Sequence, residues 1–408
     1  MKCRHCQTEL QHDLIDLGEM PPSNAYLSET DLKRAEATFP LKVKVCHKCF
    51  LVQTEDFTRA DALFTPDYAY FSSVSKSWLK HAAAFSKNAI DRFDLNSESF
   101  VVELASNDGY LLRNFIAANI PCLGVEPTAA TADAAEELGI PQCREFFGLD
   151  ISEKIKSQYG GADLIVGNNV LAHVPDINDF VAGAAHLLKP RGTISFEFPH
   201  LLNLLRDFQF DTIYHEHFSY LSLIAVHSIA AHAKLKVIDV AQLSTHGGSL
   251  RVLLTHSDDP RAPSGNVDAI LQAELDAELK GMTAYSKLQM EASRIRQELV
   301  LFLSNAKSMG QKVVGYGAAA KGNTLLNFAG VTPDLLPMIA DAAPSKQGKY
   351  MPGSRIPITS PEKLIEEQPD AVLILPWNIA SEIMESLKPQ LHRKTKFVWA
   401  IPKLNIAE

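Results

Sequence analysis

The stretch Ser99 to Leu112, SFVVELASNDGYLL, decides the fold. SFVVELAS (99–106) reads as a strand, and GYLLRNFIAANI as a helix with a Leu/Phe/Ile stripe. The same alternation continues outward. PCLGVEP is a strand, TAATADAAEELG a helix stopped at Gly139, and PQCREFF a short strand. ADLIVGNNVLAHV runs from strand into loop, DINDFVAGAAHLLKPRG is a helix, and TISFEFPH a further strand. This βαβα order implies a parallel, doubly wound sheet. After His200 the alternation pauses, and Tyr214 to Tyr220, YHEHFSY, lies in the pause. A helix over 222–234 and the strand KLKVIDVAQL resume it. THGG then turns into SLRVLLTH, an antiparallel hairpin closing one sheet edge.

Residues 259–309 read as a polar, helical connector, and a second αβ unit starts at KVVGYGAAAKGNTLLNF. Its further strands fall around LLPMIAD, AVLILPW and KFVWAIP. The predicted organisation is an N-terminal unit over 1–65, a doubly wound unit over 66–258, and a C-terminal Rossmann-like αβ unit with its connector over 259–408. A chain of 408 residues is too long for one compact core, so several units are expected.

Composition narrows the function. Apolar residues at 46% and charged residues at 21% are ordinary globular values. A net charge of −9 argues against a general nucleic-acid or membrane-surface binder, which needs clustered Lys and Arg. No run of 18 apolar residues exists, and the start MKCRHCQTEL lacks an apolar signal segment. A cytoplasmic protein is therefore expected.

Four of the six cysteines form two pairs, Cys3-x-x-Cys6 and Cys46-x-x-Cys49. That is the knuckle spacing of a tetrahedral zinc site. Four thiolates leave no open coordination position, so the ion is expected to be structural. It would staple a small zinc ribbon with strands at LKVKVC and FLVQTED. Cys122 and Cys143 fall in apolar contexts that suit the core.

The turn after the first strand of the doubly wound unit is where such sheets bind a ligand. It reads Glu103-Leu104-Ala105-Ser106-Asn107-Asp108-Gly109, with one glycine where a diphosphate-cradling loop carries three. Glu103 and Asp108 suit an ammonium group. Glu126 ends the second strand, 23 residues after Glu103, where an acid accepts from both ribose hydroxyls. A nucleoside with an ammonium group and no phosphate describes S-adenosylmethionine (SAM). Phe146 is placed to meet the adenine. Asn168 and Asn169, ending the fourth strand, are placed for the methionine part or the backbone. Acidic capping of a helix start is the plainer reading of the same acids.

At this point the chain resembles the SAM-dependent nucleotide-sugar C-methyltransferases of deoxysugar biosynthesis. The resemblance covers essentially the whole chain. It is carried by Cys3/Cys6/Cys46/Cys49, ELASNDGYLL (103–112), YHEHFSYLS (214–222), THGGSLR (245–251) and GYGAAAKGNTLLN (315–327). Ala105 departs from the glycine of many general methyltransferases. The resemblance implies dTDP-linked 4-keto-6-deoxy sugars as the substrate class and a C-terminal unit that holds the nucleotide. It also implies His217 as the base.

YHEHFSY then acquires a task. Moving a methyl group to carbon requires a base for the carbon proton and a donor for the enolate oxygen. Histidine, with an ordinary pKa of about 6.5, accepts a proton at neutral pH. Glu216 would orient or charge-stabilise His217, Tyr214 would donate its hydroxyl, and His173 would face the ketone oxygen. Tyr68 and Phe71 would wall the sugar. A helix would place His215 and His217 about 200° apart, whereas an extended segment would put them on one face. No third metal ligand is adjacent in either case.

In the C-terminal unit, the glycines of GYGAAAKGN can present N–H groups to a diphosphate, with Lys321 as counter-charge. Asn323, Lys349 and Arg355 are further substrate-binding candidates, and Trp377 could stack on a base. Two other functions compete. A NAD-dependent oxidoreductase would use Asp341 at the end of that unit's second strand. A zinc-ribbon binding module would leave the αβ units inactive.

Overall fold

The computed structural model describes residues 1–55, 71–392 and 394–407. Tyr68 lies outside the described residues.

Three antiparallel strands open the chain: β1 (His12–Met20), β2 (Phe39–Val45) and β3 (Val52–Thr54). Strand β1 escaped the sequence reading for a physical reason. Its register slips twice against β2, and Gly18 takes a positive φ of 79°. Two irregularities break the period-two alternation that marks a strand. Leu14, Ile15, Leu17 and Met20 are nonetheless buried.

The second sheet is the expected doubly wound one. Strands β4 (Val101–Leu104), β5 (Cys122–Val125), β6 (Gln142–Cys143), β7 (Ala162–Asn168) and β8 (Leu188–Pro199) pair in parallel. Strand β9 (Ser219–Tyr220) leaves this sheet and pairs antiparallel with β3, so YHEHFSY supplies the fourth strand of the N-terminal sheet. Strands β10 (Leu235–Leu243) and β11 (Ser249–His256) form the predicted hairpin, with β11 lying between β8 and β10. The order is β10-β11-β8-β7-β4-β5-β6. From β4 the chain winds one way through β5 and β6, and the other way through β7 and β8. A crevice therefore opens above the carboxyl ends of β4 and β7.

The C-terminal sheet holds β12 (Val313–Tyr316), β13 (Ile339–Ala340), β14 (Ile358–Thr359), β15 (Ala371–Ile374), β16 (Lys396–Trp399) and β17 (Asn405–Ala407). Its order is β14-β13-β12-β15-β16-β17, Rossmann-like, with β17 antiparallel at the edge.

The connector between the two αβ units is not simply polar. In the helix Leu288–Ser308, Leu288, Ala292, Ile295, Leu299, Leu303 and Ala306 are buried along one stripe at three- and four-residue spacing. They share one core with β1, β2 and the C-terminal sheet. Burying each Leu or Ile contributes roughly 1.5–3 kcal/mol. Charged residues on the opposite face gave the segment its polar average. The helix Gly265–Asp276 carries a second surprise. Its Glu274, fully buried, accepts from the N–H groups of Leu223 and Ile224 (2.6 and 2.8 Å) and meets His200 Nε2 at 2.7 Å. One carboxylate thereby clamps both ends of the excursion that carries YHEHFSY.

Candidate active site

The cysteines assemble as their spacing predicted. The four Sγ atoms lie within 4.8 Å of one another, with Cys3–Cys49 at 3.5 Å and Cys6–Cys46 at 3.4 Å. Zinc–sulfur bonds of about 2.3 Å place tetrahedral sulfurs about 3.8 Å apart, so the set fits a structural zinc ion. Gln53 Nε2 donates to Cys3 Sγ (3.3 Å), a partner outside the ligand set that fixes a ligand's orientation.

From this knuckle the path to the crevice is short. Strand β3 pairs Val52 and Gln53 with Tyr220 and Ser219. Thr54 then donates both its N–H and its hydroxyl, to the carbonyls of Phe218 (3.2 Å) and His217 (3.1 Å). The zinc unit is thus a buttress for the histidine loop.

A cavity of about 1090 Å³ sits above β4 and β7 and reaches the C-terminal unit. On its first side lie Asn107, Glu126, Phe146, Asn168 and Asn169. Glu126 accepts from the N–H groups of Asn107 (3.0 Å) and Thr128 (2.8 Å), tying the loops after β4 and β5 together. Asn107 Oδ1 accepts from Ser72 N–H at 2.8 Å. Ala105, where a glycine was anticipated by analogy, takes a left-handed φ of 56°, and Asn107 takes 50°. The loop keeps a glycine-like path at a cost of roughly 1–2 kcal/mol for the alanine.

The remaining loop candidates stand behind this wall. Glu103, Ser106, Asp108 and Gly109 do not line the cavity. Glu103 is fully buried beside the Tyr110 hydroxyl, and burial pushes its carboxyl well above the usual range. Asp108 accepts from Ser73 N–H at 3.0 Å, and Ser106 donates to Gln142 (2.9 Å). At Gly109 an added Cβ would fall 2.4 Å from Ile140, so this glycine serves packing. The direct ammonium contact expected of Glu103 and Asp108 gives way to a position beneath the loop, where Asp108 holds Ser73 and Glu103 lies buried beside Tyr110.

YHEHFSY forms a turn, closed by His217 N–H donating to the Tyr214 carbonyl (2.9 Å). The two histidines part company there. His215 faces β2, with Nε2 3.2 Å from the Phe39 carbonyl, while His217 lines the cavity. His217 Nδ1 meets the Thr212 carbonyl at 2.9 Å, which places its proton on Nδ1 and the lone pair on Nε2. Burial, with His173 second, holds its pKa well below the ordinary value. Tyr214 lies against the ring at 3.9 Å between centroids with its plane tilted by 32°, and His173 meets it edge-on at 4.6 Å.

Glu216 does not orient His217. Its carboxylate accepts from Asn24 (3.2 Å), and its backbone carbonyl accepts from His173 Nδ1 (2.8 Å). The turn sends residues 216 and 217 in different directions, so the carbonyl of Thr212 takes the orienting position assigned to Glu216.

On the C-terminal side, Ala319, Ala320, Lys321, Lys346 and Asn378 line the cavity. Lys321 donates to Asn378 (2.7 Å) and lies 4.7 Å from the Trp377 ring centroid. Burial lowers its pKa, opposed by Asp211. Among the described residues, the other substrate candidates, Phe71, Asn323, Lys349, Arg355 and Trp377, do not line the cavity. Asn323 is buried and donates to the Ser23 carbonyl, and Arg355 points to the carbonyls of Leu32 and Arg34. Lys349 follows the turn 344–348, and its carbonyl accepts from Ile358 N–H (2.8 Å). Trp377 donates Nε1–H to Asp211 (2.7 Å) and packs under Lys321. Phe71 begins a short turn and stays outside the lining. Asn323, Arg355 and Trp377 are used in contacts between the units, which no local pattern encodes.

The sequence reading missed Asn24, Trp78, Asp211, His246 and Lys346. Asp211 is buried, with its carboxyl pushed up to about 6. Asp341 accepts from Ala318 N–H (2.7 Å) and faces Lys346 at 3.7 Å. It repeats in the C-terminal unit the loop-tying role that Glu126 has in the central one. His246 had one visible signal, its place before the glycine pair of THGG.

Sheet order, switch-point crevice and a carboxylate-terminated second strand define a SAM-dependent methyltransferase. Family models agree along the chain: a "Putative zinc binding domain" over residues 3–64, a "Methyltransferase domain" over 78–240 and a "C-methyltransferase C-terminal domain" over 244–402. The C-methyltransferase NovU of Streptomyces niveus is 33% identical over 402 residues, which is 98% of this chain and 96% of that one. The chain belongs to this C-methyltransferase family. Among solved structures, a SAM-dependent methyltransferase from Clostridium acetobutylicum is 15% identical over 44% of this chain and 92% of its own, with a TM-score of 0.36. Magnesium protoporphyrin IX methyltransferase of Synechocystis, solved with SAM, is 12% identical over 44% and 79%, with a TM-score of 0.34.

Proposed function

We propose that the enzyme methylates the carbon beside the ketone of a nucleotide-linked 4-keto-6-deoxy sugar, with His217 as the base. One observation carries this reading. The Thr212 carbonyl holds the His217 proton on Nδ1, so an unprotonated Nε2 belongs to a residue lining the same cavity as the cofactor wall. When bound, SAM supplies an electrophilic methyl group on a sulfonium. Glu126 would accept the ribose hydroxyls, Phe146 would cover the adenine, and Asn107, Asn168 and Asn169 would hold the methionine part. His217 Nε2 would take the proton from the carbon beside the ketone. Tyr214, packed at a tilt against His217, keeps the base against the sugar. Lys321, Lys346 and the amide groups at the start of the helix Ala320–Ala329 give a positive end to the cavity, suited to a diphosphate.

The test is incubation in heavy water with dTDP- and GDP-linked 4-keto-6-deoxyhexoses. Deuterium should enter the sugar without SAM, and the mass should rise by one methyl group with it. If no sugar in the panel exchanges or gains mass, the substrate assignment fails.

The cofactor wall is tested separately. Glu126→Ala removes a charged acceptor for two loop N–H groups and for the ribose. Hydrogen bonds to charged groups contribute about 1.5–3 kcal/mol, so S-adenosylhomocysteine should bind about 10- to 100-fold more weakly by calorimetry. An unchanged Kd would take Glu126 out of the cofactor site.

A further inference from the structure

An enolising enzyme needs a hydrogen-bond donor at the ketone oxygen as well as a base at the carbon. Resting on the function proposed above, we propose that His246 is that donor, giving its Nδ1–H to the oxygen as enolate charge develops there.

The tautomers distinguish the candidates. His173 donates Nδ1–H to the Glu216 carbonyl, so its Nε2 is unprotonated in the neutral ring and has no proton to give. His246 is arranged the other way. Its Nε2 lies 3.0 Å from the side-chain nitrogen of Asn169, a donor, so Nε2 accepts and the proton sits on Nδ1. The ring lines the cavity with His217, and it makes no further hydrogen bond among the described residues. Two imidazoles in one cavity thus present opposite faces, a lone pair at His217 and an N–H at His246. Burial, with the Lys321 charge second, holds His246 at about 4, so the ring is neutral at physiological pH.

The backbone shows that this placement is enforced. His246 sits at φ 53°, ψ 24°, left-handed for a non-glycine residue. The two residues after it, Gly247 and Gly248, also have positive φ, at 87° and 111°. A Cβ on Gly247 would fall 2.5 Å from Trp377, and one on Gly248 would fall 2.2 Å from Asn203. Thr245 donates to the buried Glu197 carboxylate (3.0 Å), and Gln209 donates to the Gly247 carbonyl (2.9 Å). Glu197 also meets His81 (2.9 Å), whose ring stacks on Trp78, and Trp78 meets His246 edge-on at 5.3 Å. Strain held in place by its surroundings clusters at functional sites.

In the proposed step the carbon–hydrogen bond breaks and its proton goes to His217 Nε2. The electron pair forms the carbon–carbon double bond, and the carbonyl π pair moves onto oxygen. His246 Nδ1–H stabilises that oxygen without leaving nitrogen.

The experiment reads SAM-free deuterium exchange and methyl transfer in His246→Ala, His246→Gln and His246→Asn, with S-adenosylhomocysteine affinity as the control. Loss of one oxyanion donor costs about 100- to 1000-fold, so Ala and Gln should lose that much of both rates, with the control within about twofold. Asparagine places an amide N–H near the Nδ1 position and should recover at least tenfold over glutamine. Wild-type exchange in His246→Ala overturns the proposal, and so does Asn performing no better than Gln. If all three variants lose the control ligand, His246 is a scaffold residue and the proposal also falls. A wild-type protein that neither exchanges nor methylates any sugar is a different result: it removes the proposed function, and the donor role with it.

Discussion

Replacing His217 with alanine is expected to abolish deuterium exchange in the absence of SAM and to cut methyl transfer by about 100- to 10,000-fold, the usual contribution of general base catalysis. S-adenosylhomocysteine should still bind, because His217 is fixed by the Thr212 carbonyl and not by the cofactor wall. The pH dependence follows from the same environment. Burial disfavours the imidazolium, so the folded pKa lies below 6.5 and the base remains competent as pH falls through that value. The acidic limb of kcat/KM, which reports the free enzyme, should therefore appear well below pH 6.5. Retained exchange in His217→Ala would move the base to another group. An acidic limb at 6.5 or above would show that the loop opens to water before the proton moves.

The second large effect is remote from the chemistry. Cys46→Ala, or removal of zinc by a chelator, should release β3 and with it β9. Structural zinc sites contribute on the order of 10 kcal/mol to small folds, so the N-terminal sheet should lose its order. Methyl transfer should drop at least about 100-fold, since small displacements of a catalytic group cost that much. The loops after β4 and β5 do not hang on β3, so cofactor affinity should stay within a few fold. Hydrogen exchange provides the direct readout: amides of Ser219 and Tyr220 should lose protection with the metal. Zinc-free protein with full activity and a protected β9 would show that the buttress is not needed.

Much of this was legible in the chain. The cysteine spacing pointed to the four-sulfur cluster because each short knuckle supplies two ligands locally; the fold then joins Cys3 to Cys49 and Cys6 to Cys46 across 46 and 40 positions. The alternation from Ser99 to His200 specified the doubly wound sheet because each strand and helix carries its own apolar period. Glu126 and the asparagines ending β7 could be placed by their strand ends alone. The helix Leu288–Ser308 was misjudged because averaging over a whole segment hides a buried stripe. Strand β1 was lost because bulges erase the alternation.

The division between the two levels of description is physical. Local spacing determined the elements, the two ligand pairs of the metal site and the loop addresses, since those depend on neighbours a few residues apart. Only the packed structure decided which atom of each histidine carries a proton. That choice is made by partners far away or outside any motif: Thr212 for His217, Glu216 for His173 and Asn169 for His246. It also sent Glu216, Asn323, Arg355 and Trp377 into contacts between units and brought His246 from the far end of a hairpin to the cavity. Hydrogen bonds across 43 and 77 positions of sequence have no local signature, because they exist only once the sheets have closed around them.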